Sequence, residues 1–253
     1  MVPGVFRIQT DCRSVADMSN DAARFPDTQL ADARAATAFV SELLQELDDA
    51  DFDGDSLLPG WTRRQVVAHL AENARAVGRL VSWAATGIET PMYESREVRD
   101  RDIDITAQLD PAALRALFRD TAARLDAAWL ALPESGWSVE IRAGQGRIVP
   151  ALETFWMRIR ELWVHGVDLN AGAGFDAVPE PVLRRTLGDV VAFWQTAGLR
   201  LDVDAPHSMT LGDDSAAQVV SGNLADLTGW ATGRTTVGIS SAESPVPAAP
   251  RWI

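Results

Sequence analysis

Apolar residues recur along the first two thirds of the chain at helical rather than strand spacing. Leu30, Ala33, Thr37, Val40, Leu44 and Leu47 follow one another at alternating steps of three and four, which lays a single stripe along a helix beginning near Thr28. The acid-rich break "DDADFDGDSLLPG" ends it. A second helix starts at Thr62, an N-cap candidate, and turns Val66, His69, Leu70, Asn73, Val77 and Leu80 to one inner face. The segment "ATGIETPMYESREVRDRDI" reads as a long polar connection. Asp110-Pro111, a cap followed by proline at the first helical position, opens a third helix with a stripe of Leu114, Leu117, Phe118, Leu125 and Trp129. The segment "LPESGWSVEIRAGQGRIVP" fits a short hairpin, and a fourth helix runs from about Ala151 to Leu169. Four helices with inward stripes predict a four-helix bundle.

Beyond "NAGAGFDAVPEP", a linker by composition, the pattern changes. Residues 181–198 are helical in period. The pieces "LRLDVD", "SMTLG" and "AQVVSG" read as strands, with "GDD" as a turn between the last two. Asn223 caps a helix through "LADLTGWATG" that Gly233 ends. The tail "ESPVPAAPRWI" is extended. The expected architecture is α+β: residues 1–27 a disordered extension, 28–172 a helical bundle, 173–253 a small α/β domain.

Within the fourth helix Thr154, Arg158, Glu161, His165 and Asp168 fall on one side at steps of four, three, four and three. Such a stripe either faces solvent or must be held by partners, because charge in an apolar core is costly. His69 points to the second case, since it lies on the inner face of its own helix between Val66 and Asn73. Inward side chains of two helices can converge on a metal, and Glu161 with His165 at i and i+4 plus His69 gives three N/O donors of the kind a catalytic zinc, or another divalent metal, uses. An isolated E-x-x-x-H is common by chance, and a lone core histidine is more often simply hydrogen-bonded. Asp168 suits either an imidazole-orienting role or a solvated helix end.

Charge and composition narrow the partners. The net charge is −13 and the isoelectric point about 4.6, which argues against nucleic acid and anionic membranes. An anionic substrate would need a local arginine against this background; all 23 basic residues are arginine. No apolar run is long enough for a membrane span and no secretory leader is apparent, so a cytoplasmic protein is expected. Cys12 is the single cysteine, in the expected extension, so a thiol reaction needs a thiol from outside the chain. Trp61, Met92 and Tyr93 read as core, Arg158 and Arg160 as surface, acid-paired or anion-reaching, and His207 as structural or exposed.

The stretches "LLPGWTRRQVVAHLAENA", "TPMYESREVRDRDI", "GRIVPALETFWMRIRELWVHGVDL" and "PRWI" resemble the mycothiol-dependent maleylpyruvate isomerase family, over residues 28–253. The resemblance implies a DinB-like four-helix bundle followed by a small domain like that of sterol carrier proteins. It implies a divalent metal, usually zinc, held by His69, Glu161 and His165. It places a catalytic arginine at Arg234, in "LTGWATGR", where the guanidinium fork would grip a substrate carboxylate; a cation past a helix C-terminus is also favoured by the helix dipole alone. The implied reaction is cis-to-trans isomerisation of maleylpyruvate to fumarylpyruvate through addition of mycothiol; a monomer is expected, with the site in the cleft between its two domains. Two alternatives keep the same bundle: a metal-dependent mycothiol transferase acting on other electrophiles, and a non-catalytic metal- or ligand-binding module.

Overall fold

The computed structural model describes residues 15–194, 198–204, 206, 208–212, 215–216, 218–242 and 245–252, with side chains from Pro26 onward except that of Gln145. Cys12 and His207 lie outside the described residues, as does 1–14 of the expected extension.

Helix α1 (Val15–Glu46) begins ahead of Thr28, where its periodicity becomes legible. It is followed by α2 (Arg63–Thr86), α3 (Arg96–Thr106), α4 (Pro111–Ala131), a hairpin of β1 (Glu140–Arg142) and β2 (Ile148–Pro150), and α5 (Glu153–Asp168). The termini are set by local chemistry. The Thr62 N–H donates to Gln65 Oε1 at 3.0 Å at the start of α2, and Gly87 closes that helix at φ 73°, a left-handed position suited to glycine. Asp110 Oδ1 accepts from the Ala113 N–H at 2.8 Å, with Pro111 at the first helical position of α4.

Helices α1, α2, α4 and α5 form a closed ring in which α1 packs on α5, α5 on α2, α2 on α4 and α4 on α1. The predicted inner face of α2 is fully realised: Val66, His69, Leu70, Asn73, Val77 and Leu80 are all buried. Phe52, Phe118, Phe155 and Leu162 fill the centre. The expected hairpin is present, pairing Ile141 with Val149. The expected connection after α2 is not simply a connection. Its second half is α3, an eleven-residue helix whose cap Ser95 accepts from the Val98 N–H at 3.2 Å. Only Ile103 and Thr106 of that helix are buried, so its apolar stripe is too thin to show as a period.

The C-terminal region comprises α6 (Glu180–Trp194), β3 (Leu199–Val203), β4 (Met209–Gly212), β5 (Gln218–Gly222), α7 (Leu224–Ala231) and β6 (Ser240–Ser241). The sheet order is β4-β3-β5-β6; β3 and β5 are parallel and the other pairs antiparallel. Leu199, Leu201, Val203 and Val220 are buried, and α7 packs over β3 and β5. Strand β6 lies between Gly233 and the extended tail, where the sequence pattern predicts no element; two residues carry no period. This region docks on α5 through polar contacts. Trp156 Nε1 donates to Asp189 Oδ2 at 2.7 Å, Arg185 to Glu153 at 2.7 Å, and the Arg185 guanidinium stands 4.3 Å over the Trp156 ring. Among the described residues no helix is long and apolar enough to cross a membrane.

The approach of α1 to α5 depends on Gly166, which follows His165. A Cβ there would lie 2.5 Å from Phe39 Cε1. Gly166→Ala is therefore expected to destabilise the fold by about 1–3 kcal/mol, as overpacking does, read as a lower denaturant midpoint at unchanged slope. A midpoint equal to that of the wild type would show that the α1–α5 contact is looser than described.

Candidate metal centre

The polar stripe of α5 does not face water. Thr154 and Asp168 have no exposed surface and Arg158 is 1 % exposed. Each is held. Thr154 receives the Trp129 indole N–H at 3.0 Å, and Arg158 donates to the Leu70 carbonyl at 2.7 Å and to Asn73 Oδ1 at 2.8 Å. Arg158 is thus a core strut between α5 and α2, not a surface group.

One turn on, Glu161 Oε2 meets two imidazoles. His69 Nε2 from α2 lies 2.9 Å away and His165 Nε2 3.3 Å away. The two rings stand edge to face with centroids 4.6 Å apart. One donor atom from each of His69, Glu161 and His165 falls within 4.8 Å of the others, so the structure brings together the three residues singled out by spacing. Zinc with donors at roughly 2.0–2.2 Å in a tetrahedral array would separate them by about 3.3–3.6 Å. The His165–Glu161 distance of 3.3 Å already fits, and the His69–Glu161 contact of 2.9 Å would open by a few tenths of an ångström.

The outer partners sharpen this fit. His165 Nδ1 donates to Asp168 Oδ2 at 2.8 Å, which fixes the ring and leaves Nε2 as the atom that turns to the cluster. Asp168 is in turn gripped by Arg234, with Nε on Oδ1 at 2.9 Å and Nη2 on Oδ2 at 2.8 Å. Arg234 Nη1 donates to the Thr232 carbonyl. The C-terminal region therefore reaches the cluster, but through Asp168. The fork expected to hold a substrate carboxylate is filled by a carboxylate of the protein, and three of the five guanidinium N–H groups are used. On the other side Arg99 of α3 places Nη2 3.3 Å from His69 Nδ1, and Trp61 stands edge-on to the His69 ring at 5.9 Å. Arg160, 3.9 Å from Glu161 Oε1, is shared with Asp189 and lies 5.4 Å from the Trp252 ring.

Electrostatics follow from burial and partner together. Burial disfavours charge on all these groups. At His69 burial dominates and lowers the pKa to about 4. At His165 burial is outweighed by the hydrogen bonds to Asp168 and Glu161, which raise it to about 9. Burial is likewise overcome at Asp168, where Arg234 and His165 bring the pKa down to about 2, and at Glu161, which the two histidines hold well below the usual carboxylate range. The metal-free cluster is thus a neutral His69, an anionic Glu161 and a cationic His165.

Two comparisons with known proteins return matches. A family model described as the mycothiol maleylpyruvate isomerase N-terminal domain matches residues 33–170. A crystal structure of mycothiol-dependent maleylpyruvate isomerase is 43% identical, with a TM-score of 0.86, covering 90% of this chain and 97% of that one. The chain belongs to the mycothiol-dependent maleylpyruvate isomerase family. A second structure of such an isomerase, a histidine-to-alanine variant, gives 42% identity at the same TM-score and coverage. Curated proteins returned no significant match. Membership of this isomerase family makes the chain an enzyme rather than a binding module, and bears out the α+β architecture over both regions.

Sequence reasoning missed Arg99. It sits in the segment read as a connection, and the available signal was Ser95 as a cap three residues ahead of Val98. It also could not see that Asp168 and Arg234 are partners, since 66 residues separate them. Two surface cavities, one between α1 and α4 lined by Arg34, Thr37 and Trp129, the other lined by Thr62, Arg64 and Asp104, include none of the three clustered residues.

Metal binding is expected to release about one proton per ion near neutral pH, because a His165 raised to about 9 is protonated there and a ligand nitrogen is not. Affinity should climb with pH and level off above about 9. Calorimetry in two buffers of different ionisation enthalpy measures the proton count; none released would contradict ligation by His165. Asp168→Asn should weaken the metal by about 10- to 100-fold, seen by competition with a chromogenic chelator.

Proposed function

We propose that the protein converts maleylpyruvate to fumarylpyruvate, with the thiol of mycothiol as a temporary nucleophile, at a divalent metal, zinc by donor type, held by His69, Glu161 and His165. The observation that carries the reading is the convergence of these three side chains on one point, with His165 fixed from behind by Asp168 and Arg234. Family membership supplies the reaction class; the site supplies the residues.

Cis-to-trans change needs the double bond to become single for long enough to rotate. Addition of a thiolate to one alkene carbon does this, moving the π electrons onto the conjugated carbonyl as an enolate. Rotation follows, and collapse of the enolate expels the same thiolate, so nothing is consumed. The bound ion would supply a positive charge that favours the thiolate over the thiol. The chain contributes the rest. Glu161 and the two imidazoles, little exposed, define a site of low dielectric in which charge stabilisation counts for more than in water. Asp168 keeps the His165 Nε2 aimed at the cluster, and Arg234 keeps Asp168 ionised and in place. Arg234 acts in turnover by this positioning, its fork being held by Asp168.

A mycothiol transferase would use the same donors and need no grip on a dicarboxylate, and the filled fork of Arg234 is the observation in its favour. A turnover assay separates the two. Zinc-loaded protein with maleylpyruvate should form fumarylpyruvate only when mycothiol is present, and His69→Ala should lose at least about 100-fold in rate, the scale of removing a principal catalytic group. Isomerisation without thiol, or consumption of mycothiol into a stable adduct, would overturn the proposal.

A further inference from the structure

The donor inventory around His69 leads to a second arginine. An arginine can only donate hydrogen bonds. The approach of Arg99 Nη2 to His69 Nδ1 at 3.3 Å therefore needs a lone pair on Nδ1, which puts the ring proton on Nε2, where Glu161 Oε2 accepts it at 2.9 Å. That arrangement is self-consistent without a metal. When Nε2 of a neutral imidazole ligates an ion, its single proton must sit on Nδ1, and Nδ1 then faces Arg99 donor to donor. Ligation through His69 Nε2 and the Arg99–His69 hydrogen bond exclude each other.

Arg99 is fixed at its base, and its tip is partly exposed. Helix α3 is tied to α2 by Thr106 Oγ1 on Glu72 Oε1 at 2.8 Å and by Arg64 Nη1 on the Ala107 carbonyl at 3.2 Å. The chain ahead of it is tied by Arg79 Nη1 on the Met92 carbonyl at 2.7 Å. The guanidinium itself stands 5.8 Å from the Tyr93 ring, is 28% exposed, and spends Nη1 on Asp100, a half-exposed neighbour in sequence. Once His69 no longer accepts, Arg99 Nη2 is a charged donor beside the cluster, and the side-chain oxygens left around the guanidinium are the Asp100 carboxylate and the Tyr93 phenol. Arg234, by contrast, is committed to Asp168 on its Nε–Nη2 edge.

We infer that Arg99 receives a carboxylate of the substrate, and that metal loading of His69 is what frees it to do so. The inference rests on the proposed isomerase reading for the identity of the substrate. It makes dicarboxylate binding conditional on metal, so that the anion is gripped only when the site is competent, and it supplies the local cation that a chain of net charge −13 needs.

The test is calorimetric titration of maleate, a cis-dicarboxylate, into the metal-free and zinc-loaded full-length protein with no thiol present, for the wild type, Arg99→Met and Arg99→Lys. Maleate should bind the zinc-loaded wild type at least about 10-fold more tightly than the metal-free protein and than zinc-loaded Arg99→Met, the scale of a lost charge-assisted hydrogen bond. Arg99→Lys should fall between. Zinc affinity of Arg99→Met, read with a competing chelator, should equal or exceed that of the wild type, because a competitor for His69 has been removed; a purely structural role would lower it. In turnover, Arg99→Met should raise the KM for maleylpyruvate and leave that for mycothiol within about twofold. Equal maleate affinity in wild type and Arg99→Met, equal affinity with and without zinc, no maleate binding at all, or a weakened metal in Arg99→Met would each overturn the inference. Should the wild type fail to isomerise maleylpyruvate, the isomerase reading falls while the maleate and zinc titrations still decide the role of Arg99.

Discussion

A carboxylate with no exposed surface, Asp168, is the constraint on which the site depends. Burying an ionised carboxylate costs several kcal/mol unless it is paired and hydrogen-bonded. Here two N–H groups of Arg234 and one of His165 meet it at 2.8–2.9 Å, which offsets that cost and couples the two partners. Arg234 follows Gly233, whose φ of 80° turns the chain at the end of α7. The orientation of one imidazole in the bundle thus requires the C-terminal helix to be docked. Removing Asp168 would strip Arg234 of its carboxylate and His165 of its Nδ1 acceptor together, and a buried donor left unmet is costly. The small sheet region thereby reaches the cluster although it lends no donor to it.

The cluster sits at a boundary between opposing electrostatic demands. Glu161 must stay anionic in a site of low exposure, and it does so because two imidazoles and, at 3.9 Å, Arg160 surround it. The same protein carries a large negative net charge, so every anion it accepts depends on a nearby guanidinium. Arginine suits this task better than lysine, since its planar fork matches a carboxylate in two bonds and its charge persists when desolvated. The two arginines nearest the histidines divide the work by geometry. Arg234 is locked onto a buried acid, and Arg99 ends in a half-exposed position beside His69.

Much of this was legible in the sequence where period and chemistry coincide. The α2 face worked because Val66, Leu70, Val77 and Leu80 impose a helical period within which His69 can only point inward. The α5 stripe worked because Thr154, Arg158, Glu161, His165 and Asp168 keep to one side of a helix whose other residues, Glu153 and Arg160 apart, are apolar or glycine. The candidate metal-ligand set came from that spacing together with family resemblance. Failures have equally definite causes. Helix α3 is rich in Arg and Asp and buries two residues, so no amphipathic pattern announces it. Strand β6 is two residues long. The Asp168–Arg234 pair joins segments whose contact is a property of tertiary docking, and Arg99 is placed by the same docking of α3 on α2. Residue type could nominate Arg234, but not what its guanidinium holds.

The most direct test of the account is the zinc-edge X-ray absorption spectrum of the metal-loaded protein. The account predicts one ion per chain in a shell of nitrogen and oxygen donors at about 2.0–2.2 Å, with the multiple-scattering signature of two imidazoles, falling to one in His69→Ala and in His165→Ala. A shell with one imidazole or none in the wild type, or one unchanged by either substitution, would contradict it.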